Sequence, residues 1–513
     1  MSAPAPSSVP VLAGRSGVLA AVLVGAVFLA LLLYATFTRG PWYDEFFTLY
    51  VASPRFGWSE ALRQHWLTDN HPPLFYALSR ATSWLGSAVE PRRLVNLLFL
   101  AAMLGWLAML ARRAKEWRPA LLLFGIALAG SPVALFYGAE LRSNFMALAG
   151  AVSVCAGLAV LAGPHTPIPS RGAALGLLAA LLLAFNTHFT ASVLTGSVAL
   201  AFLARLALTG DWRKAWWLTT LCVLAGLPLL ATLAVQFTRI EANTQSFWLP
   251  AGFTAARWAV QAEIEWTLGS NVLITITAAL TAIVTLTTQG RSNAARDPKA
   301  TAALALLAGA VLGTALLLTI HMWRPIVIAR YLVAMVPPIL LALSIGAAAV
   351  FERLKANHAR LLLAVTVLIA FSAMGRSMAM LSREPSWNGT AKAISAVVEQ
   401  CPGTLVHADM HWNAPVRAMA PADNRDVMPM AYAMSAKANG FALEPEGSRR
   451  MAARCPTVFW TEHVSDVNPT PEDVAEAIKA RGYALGRYRL ERIGRGWIFV
   501  SLPENQTRIG IST

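Results

Sequence analysis

About eleven stretches of this chain are apolar for the full, or nearly the full, length that a helix needs to cross a hydrocarbon core of roughly 30 Å. They lie near 16–35, 92–110, 119–137, 145–161, 173–186, 189–208, 215–235, 271–288, 301–320, 331–350 and 361–380. Backbone in lipid has to satisfy its own hydrogen bonds, so such segments fold as helices and the chain as an α-helical polytopic membrane protein. The runs 173–186 and 189–208 are almost continuous, and Asn186-Thr187-His188 is read as the turn between them. The first run is long and no small-x-small pattern precedes Pro41, so it is expected to stay as an anchor.

Composition agrees. The apolar fraction is 56% and the charged fraction 13% over 513 residues, with a mean hydropathy of +0.53. A chain of this kind buries most of its surface in lipid. Its net charge of +15 would suit nucleic acid, but no recognition module of the usual kinds is visible. Most basic residues sit instead in short loops, as topology signals and contacts to anionic lipid.

One alternating set of loops carries Arg112, Arg113, Lys115 and Arg118; Arg171; Arg213 and Lys214; Arg291, Arg296 and Lys299; then Arg353, Lys355 and Arg360. The opposite short loops carry Arg142, Arg324 and Arg330. The Lys/Arg-rich side is cytoplasmic by the positive-inside rule, which places the N-terminus inside. The loop 37–91, the loop 236–270 and everything after about residue 381 are then expected to face outward, into the periplasm of a bacterial inner membrane.

The first outward loop holds Pro41-Trp42-Tyr43-Asp44-Glu45-Phe46-Phe47 and, about 25 residues later, Asp69-Asn70-His71-Pro72-Pro73-Leu74-Phe75-Tyr76. Adjacent carboxylates at the end of a membrane helix are costly to desolvate and need a partner or a purpose. Consecutive residues cannot point the same way, so one acid can do chemistry while the other orients it or holds an arginine. The two prolines after His71 fix the backbone and hold the imidazole rigidly. Glu140 and Arg142 occupy a very short loop on the same side, His188 sits in a helical hairpin turn, and Arg324, Arg330 and Tyr331 precede the tenth run.

Taken singly, these residues also fit an interfacial aromatic belt, ordinary turns or headgroup contacts. Together they suggest a cationic pocket for a phosphate beside a base for a hydroxyl. A transporter or lipid flippase would instead show charged residues at mid-membrane depth and inverted repeats. A scaffold recruiting partners would require nothing of Asp44. The first outward loop lacks a dense acidic cluster, so no metal is assigned and no cofactor is required, although a carboxylate could help hold a divalent cation.

Beyond the last run the character changes. Charges become frequent and apolar runs shorten to strand length at 404–407, 457–461 and 497–502. Helical patterns occupy 390–399 and 474–480, with Thr470-Pro471-Glu472-Asp473 as an N-capped helix start. Ile493-Gly494-Arg495-Gly496 reads as a hairpin turn. The expected division is a transmembrane unit over 1–381 and a small extracytoplasmic α/β domain over 382–513. Cys401 and Cys455 each precede Pro and a predicted strand, and they are either bridged or two buried thiols. Cys155 and Cys222 read as apolar fillers, and the polar start 2–10 as low complexity.

Trp42-Tyr43-Asp44-Glu45, the His71-Pro72-Pro73 segment, Glu140-Leu141-Arg142-Ser143-Asn144-Phe145, Thr187-His188-Phe189 and Ala329-Arg330-Tyr331-Leu332 resemble, in order, the marks of the protein O-mannosyltransferase-like superfamily. This is the GT-C class of membrane glycosyltransferases, which includes lipid A aminoarabinose transferases and lipopolysaccharide-core galacturonosyltransferases. The resemblance spans about residues 15–380. It implies transfer of a sugar from a polyprenyl-phosphate donor to a hydroxyl of a glycolipid such as lipid A or lipopolysaccharide, another glycan, or a protein, on the outer face.

The resemblance further implies Asp44 as general base with Glu45 supporting it. It implies His71, Arg142, His188 and Arg330 on the donor phosphate, with Tyr43, Asp69, Glu140 and Tyr331 around them. Aminoarabinose transferases resemble this chain with Lys in place of His71 and His188. A neutral His offers one hydrogen bond and no charge, so the aminoarabinose substrate is not carried over.

Overall fold

Each apolar run becomes a helix, or a pair of helices meeting at a bend. The computed structural model describes residues 11–163, 167–245, 251–288, 297–408, 412–462 and 469–503. The polar start 2–10 and the loop residues Arg291 and Arg296 lie outside the described residues. Among the described residues, eight helices are long and apolar enough to cross a membrane: Arg15–Thr38, Val89–Arg113, Asn144–Leu161, Phe189–Leu208, Trp212–Ala242, Pro298–Trp323, Ala329–Arg353 and Ala356–Ser382. Two bent pairs and the shorter apolar helix Arg171–Phe185 account for the remaining predicted runs. The chain is a multi-pass membrane protein.

Two expectations are corrected. The run 119–137 is not one straight helix: it breaks at Ser131 by 63° into Lys115–Gly130 and Pro132–Gly138. Pro132 drives its predecessor into extended geometry, and Ser131 adopts ψ 130. Nor is 236–270 a loop. Helix Trp212–Gln245 runs on past its apolar part, and Phe253–Ser270 forms a helix that meets Val272–Val284 at 92°. The residues Gln236-Phe237-Thr238-Arg239 end the hydrophobic run but contain no helix breaker.

Helix Asn144–Leu161 is the centre of the bundle, buried along 94% of its length. Small residues bring neighbouring helices close elsewhere. A Cβ on Gly313 would lie 2.9 Å from the Leu194 Cα, and one on Gly309 would collide with the Val198 backbone. These two glycines, four apart, lay Pro298–Trp323 directly against Phe189–Leu208.

The C-terminal region is the expected α/β unit. Strands β1 (Leu405–Ala408), β2 (Thr457–Thr461), β3 (Arg487–Ile493) and β4 (Gly496–Leu502) form one sheet in the order β1-β2-β4-β3. The β1 and β2 strands are parallel, and the other two pairings are antiparallel. Gly494, at φ +62, makes the predicted turn between β3 and β4. Helix Pro471–Ala480 begins with Thr470 accepting the Asp473 amide, as its sequence predicts. Cys401 and Cys455 form a disulfide with their Cα atoms 5.7 Å apart, which resolves the two alternatives. Val458 and Trp460 point into the main core that continues toward the membrane helices, while Phe459 points to a second cluster on the opposite face of the sheet.

Candidate active site

The segment around Asp44 is itself helical. Helix Tyr43–Val51 starts after Trp42, and Glu45 reaches back to accept the Trp42 amide at 3.3 Å. One residue per 100° of turn gives the helix three faces with three different partners. Asp44 and Thr48, one turn apart, face the site. Glu45 faces the membrane bundle. Tyr43, Phe46 and Tyr50 face the C-terminal domain.

On the site face, the Asp44 carboxylate lies 3.3 Å from the Arg330 guanidinium and 3.8 Å from that of Arg142. Arg142 also donates to the Thr48 hydroxyl at 3.2 Å and to the Asp44 carbonyl at 3.3 Å. Burial disfavours its charge, but Asp44, Tyr76 and Asp69 together outweigh that and hold it protonated. The Arg330 guanidinium lies over the rings of Trp42, at 4.9 Å, and Tyr331, at 5.4 Å.

The His-Pro-Pro segment closes one wall. His71 Nδ1 donates to Asp69 Oδ2 at 2.9 Å, and Tyr76 donates to the same oxygen at 2.5 Å. Burial alone would raise the Asp69 pKa, but the His71 charge, these two hydrogen bonds and Arg142 bring it down to about 2. Gln236, on the polar extension of Trp212–Gln245, holds the segment by donating to the carbonyls of Trp66, Asp69 and His71 at 3.1, 3.1 and 3.2 Å.

His188 caps Phe189–Leu208, its Nδ1 accepting the Thr190 amide at 3.3 Å. The Thr190 hydroxyl donates to the Tyr331 carbonyl at 2.7 Å and so ties two walls together. The His188 ring lies 4.5 Å from the Tyr331 ring and 4.8 Å from His71. Its Nε2 is buried with no hydrogen-bond partner among the described residues. Burial, followed by the charges of His71, Arg142 and Arg330, pushes its pKa well down, so this ring is neutral.

Glu140 is buried beside the arginines, and Asn144 donates to it at 3.4 Å. Burial raises its pKa to about 7, against the pull of Arg39. Among the described residues, no group of three or more His, Cys, Asp or Glu side chains is arranged to hold a metal ion.

Glu45 does not reach the site. Arg93 clamps it from Nε to Oε1 and from Nη2 to Oε2, both at 2.7 Å, with no solvent exposure on either side chain. Oε1 also accepts the Leu141 amide at 2.7 Å, fixing the backbone next to Arg142. Of the two roles the sequence left open for the second acid, Glu45 takes that of holding an arginine. Tyr43 likewise turns away, to the C-terminal domain. The structure therefore gathers Asp44, His71, Asp69, Glu140, Arg142, His188, Arg330 and Tyr331, while Glu45 and Tyr43 support from behind.

Sequence reasoning missed Arg93, Gln236 and Thr190. The signal for Arg93 was Arg92-Arg93 at the entrance of an apolar run, where two charges have no ordinary place.

No protein-family model matches the sequence, and no curated protein does. The fold, however, is shared. The architecture, a helical bundle carrying a C-terminal α/β domain, is shared with solved structures of one transferase. ArnT from Cupriavidus metallidurans in the apo state matches over 93% of this chain and 97% of its own, at 14% identity and a TM-score of 0.52. ArnT bound to undecaprenyl phosphate matches over 96% and 99%, at 13% identity and a TM-score of 0.54.

Proposed function

We propose that the chain is a glycosyltransferase that moves a sugar from a polyprenyl-phosphate donor to a hydroxyl on a glycolipid, glycan or protein acceptor. The observation that carries this reading is the Asp44 carboxylate bridged to Arg330 at 3.3 Å and Arg142 at 3.8 Å. The shared fold supports it, since ArnT has been determined with undecaprenyl phosphate bound. The Lys/Arg loop pattern supports an N-terminus in the cytoplasm, with the site and the C-terminal domain in the periplasm.

In this reading the donor phosphate takes the two guanidinium forks, which pair naturally with phosphate oxygens. Binding shares the arginines between phosphate and Asp44 and frees the carboxylate to accept a proton. His188 is neutral, so its Nε2 contributes one hydrogen bond and no charge; the positive field comes from Arg142 and Arg330. Asp44 removes the proton of the acceptor hydroxyl, and that oxygen attacks the anomeric carbon. The bond from that carbon to the phosphate oxygen breaks, and its electron pair leaves on polyprenyl phosphate, whose growing charge the arginines stabilise. A single displacement inverts the anomeric centre.

The test is mass spectrometry of envelope lipids and glycans from a deletion strain and its parent. Loss of one sugar mass from one acceptor class is expected, and it names donor and acceptor together. Identical glycolipid, glycan and glycoprotein profiles would contradict the proposal.

A further inference from the structure

The C-terminal domain is more than an appendage, because it grips the helix that carries Asp44 along its whole length. Tyr43 donates to Asn424 Oδ1 at 2.6 Å, and this contact is buried. One turn on, the Phe46 ring packs 5.4 Å from Trp387. One further turn on, Tyr50 donates to Asp426 Oδ2 at 3.0 Å. Positions 43, 46 and 50 are spaced as a single helical stripe.

The approach to the helix is held as well. The Trp387 amide donates to the Pro41 carbonyl at 3.2 Å, and Arg39 pairs with Glu384 at 2.7 Å. Any Cβ on Gly40 would collide with the Ser386 side chain. The neighbouring His65 meets Asp423 at 2.7 Å. Asp423, Asn424 and Asp426 all lie at the start of helix Asn424–Ala438, so one helix end makes three separate contacts with the first outward segment.

Asp44 is one residue along from Tyr43 and therefore about 100° around the helix. Rotation about the helix axis that loosened the Tyr43 contact would swing the Asp44 carboxylate away from Arg142 and Arg330. Accurate placement of a general base matters because proton transfer depends steeply on geometry.

We propose that Asn424, with Asp423 and Asp426, positions the catalytic helix, so that the C-terminal domain sets the orientation of Asp44 for sugar transfer. This rests on the transferase reading above. Asn424 touches no reacting atom; it acts through Tyr43. The prediction follows that transfer needs the C-terminal domain even though every site residue lies before residue 381.

Two measurements on the full chain in detergent or nanodiscs test it, with Tyr43→Phe, Asn424→Ala and the double variant. The first is hydrogen–deuterium exchange of the 43–51 amides, which needs no substrate. Exchange there should quicken about tenfold in each variant, with the spanning helices unchanged. The second is sugar transfer. Each single variant should lose about tenfold in kcat with donor KM within about twofold, and the double variant should lose no more than either single one. Asn424→Asp, which keeps the acceptor for the Tyr43 hydroxyl, should restore most of the rate. Unchanged exchange over 43–51 would overturn the proposal, and so would unchanged kcat, additive losses or a loss confined to KM. An inactive parent would instead count against the transferase reading, with exchange still deciding the positioning.

Discussion

Arg93 and Glu45 form a fork-to-fork ion pair sealed from solvent, with both contacts at 2.7 Å. The same guanidinium donates to the carbonyls of Thr36 and Arg39, at 2.9 and 2.7 Å. Glu45 adds the Leu141 amide. The pair thus joins the end of the first span, the Asp44 helix and the Arg142 segment at a single buried point.

Removing one member of such a pair strands the other charge. Arg93→Ala should cost about 3–5 kcal/mol, the usual cost of breaking a buried ion pair from one side. The expected signs are poor membrane accumulation and early melting in detergent, measured by fluorescence-detected size exclusion over a temperature ramp. A stable, abundant Arg93→Ala protein would show that the pair carries no such load.

Arg142→Ala and Arg330→Ala should behave differently. Both side chains are partly exposed in the site, so the fold should survive and donor handling should suffer. Charge-assisted contacts to a phosphate are each worth about 1.5–3 kcal/mol, or roughly 10- to 150-fold in affinity. Equilibrium binding of undecaprenyl phosphate to the purified variants checks this. Parental affinity in both would remove the arginines from the phosphate site.

Asp69 predicts a pH dependence. Its folded pKa, about 2, lies below the ordinary value of 3.8, so its ionised form stabilises the fold. That contribution is present above about pH 4 and lost as pH falls through about 2. The shift corresponds to about 2 kcal/mol. Asp69→Asn should melt earlier than the parent at neutral pH, and the difference should shrink toward pH 2. A gap independent of pH would show that the carboxylate charge is not what stabilises this wall.

The disulfide closes a loop of 54 residues between Cys401 and Cys455. A cross-link over that length is worth about 4 kcal/mol in the chain-entropy account. Non-reducing peptide mapping should recover the two peptides joined, and reduction should lower the unfolding temperature of the C-terminal domain. Two free thiols in material from an oxidising compartment would contradict the bridge.

Much of this was legible along the chain because the signals were local. Hydrophobic length gave the spans, Asn186-Thr187-His188 gave the hairpin, and Thr470-Pro471 gave a capped helix start. The site residues were legible as types near one membrane face. What escaped depends on contacts between distant positions: Glu45 with Arg93, Gln236 with the His71 segment, Tyr43 with Asn424 across 381 residues. Strand β3 escaped for another reason. Its sequence, Arg487-Tyr488-Arg489-Leu490-Glu491-Arg492-Ile493, is a half-exposed sheet edge with no apolar run to mark it. Helix Asn424–Ala438 contains Pro429, which reads as a breaker, yet Pro429 lies within the helix as it forms.

Asp44 is the base in the proposed reaction, and the Asp44→Asn variant puts that role to the test. The amide keeps the shape of the side chain and the helix around it but cannot accept the acceptor's proton. At equal membrane abundance and with undecaprenyl phosphate still bound, the rate of sugar transfer should fall about a hundred- to ten-thousand-fold. Glu45 cannot replace it, sealed as it is behind Arg93. Near-parental transfer by Asp44→Asn would show that Asp44 is not the base.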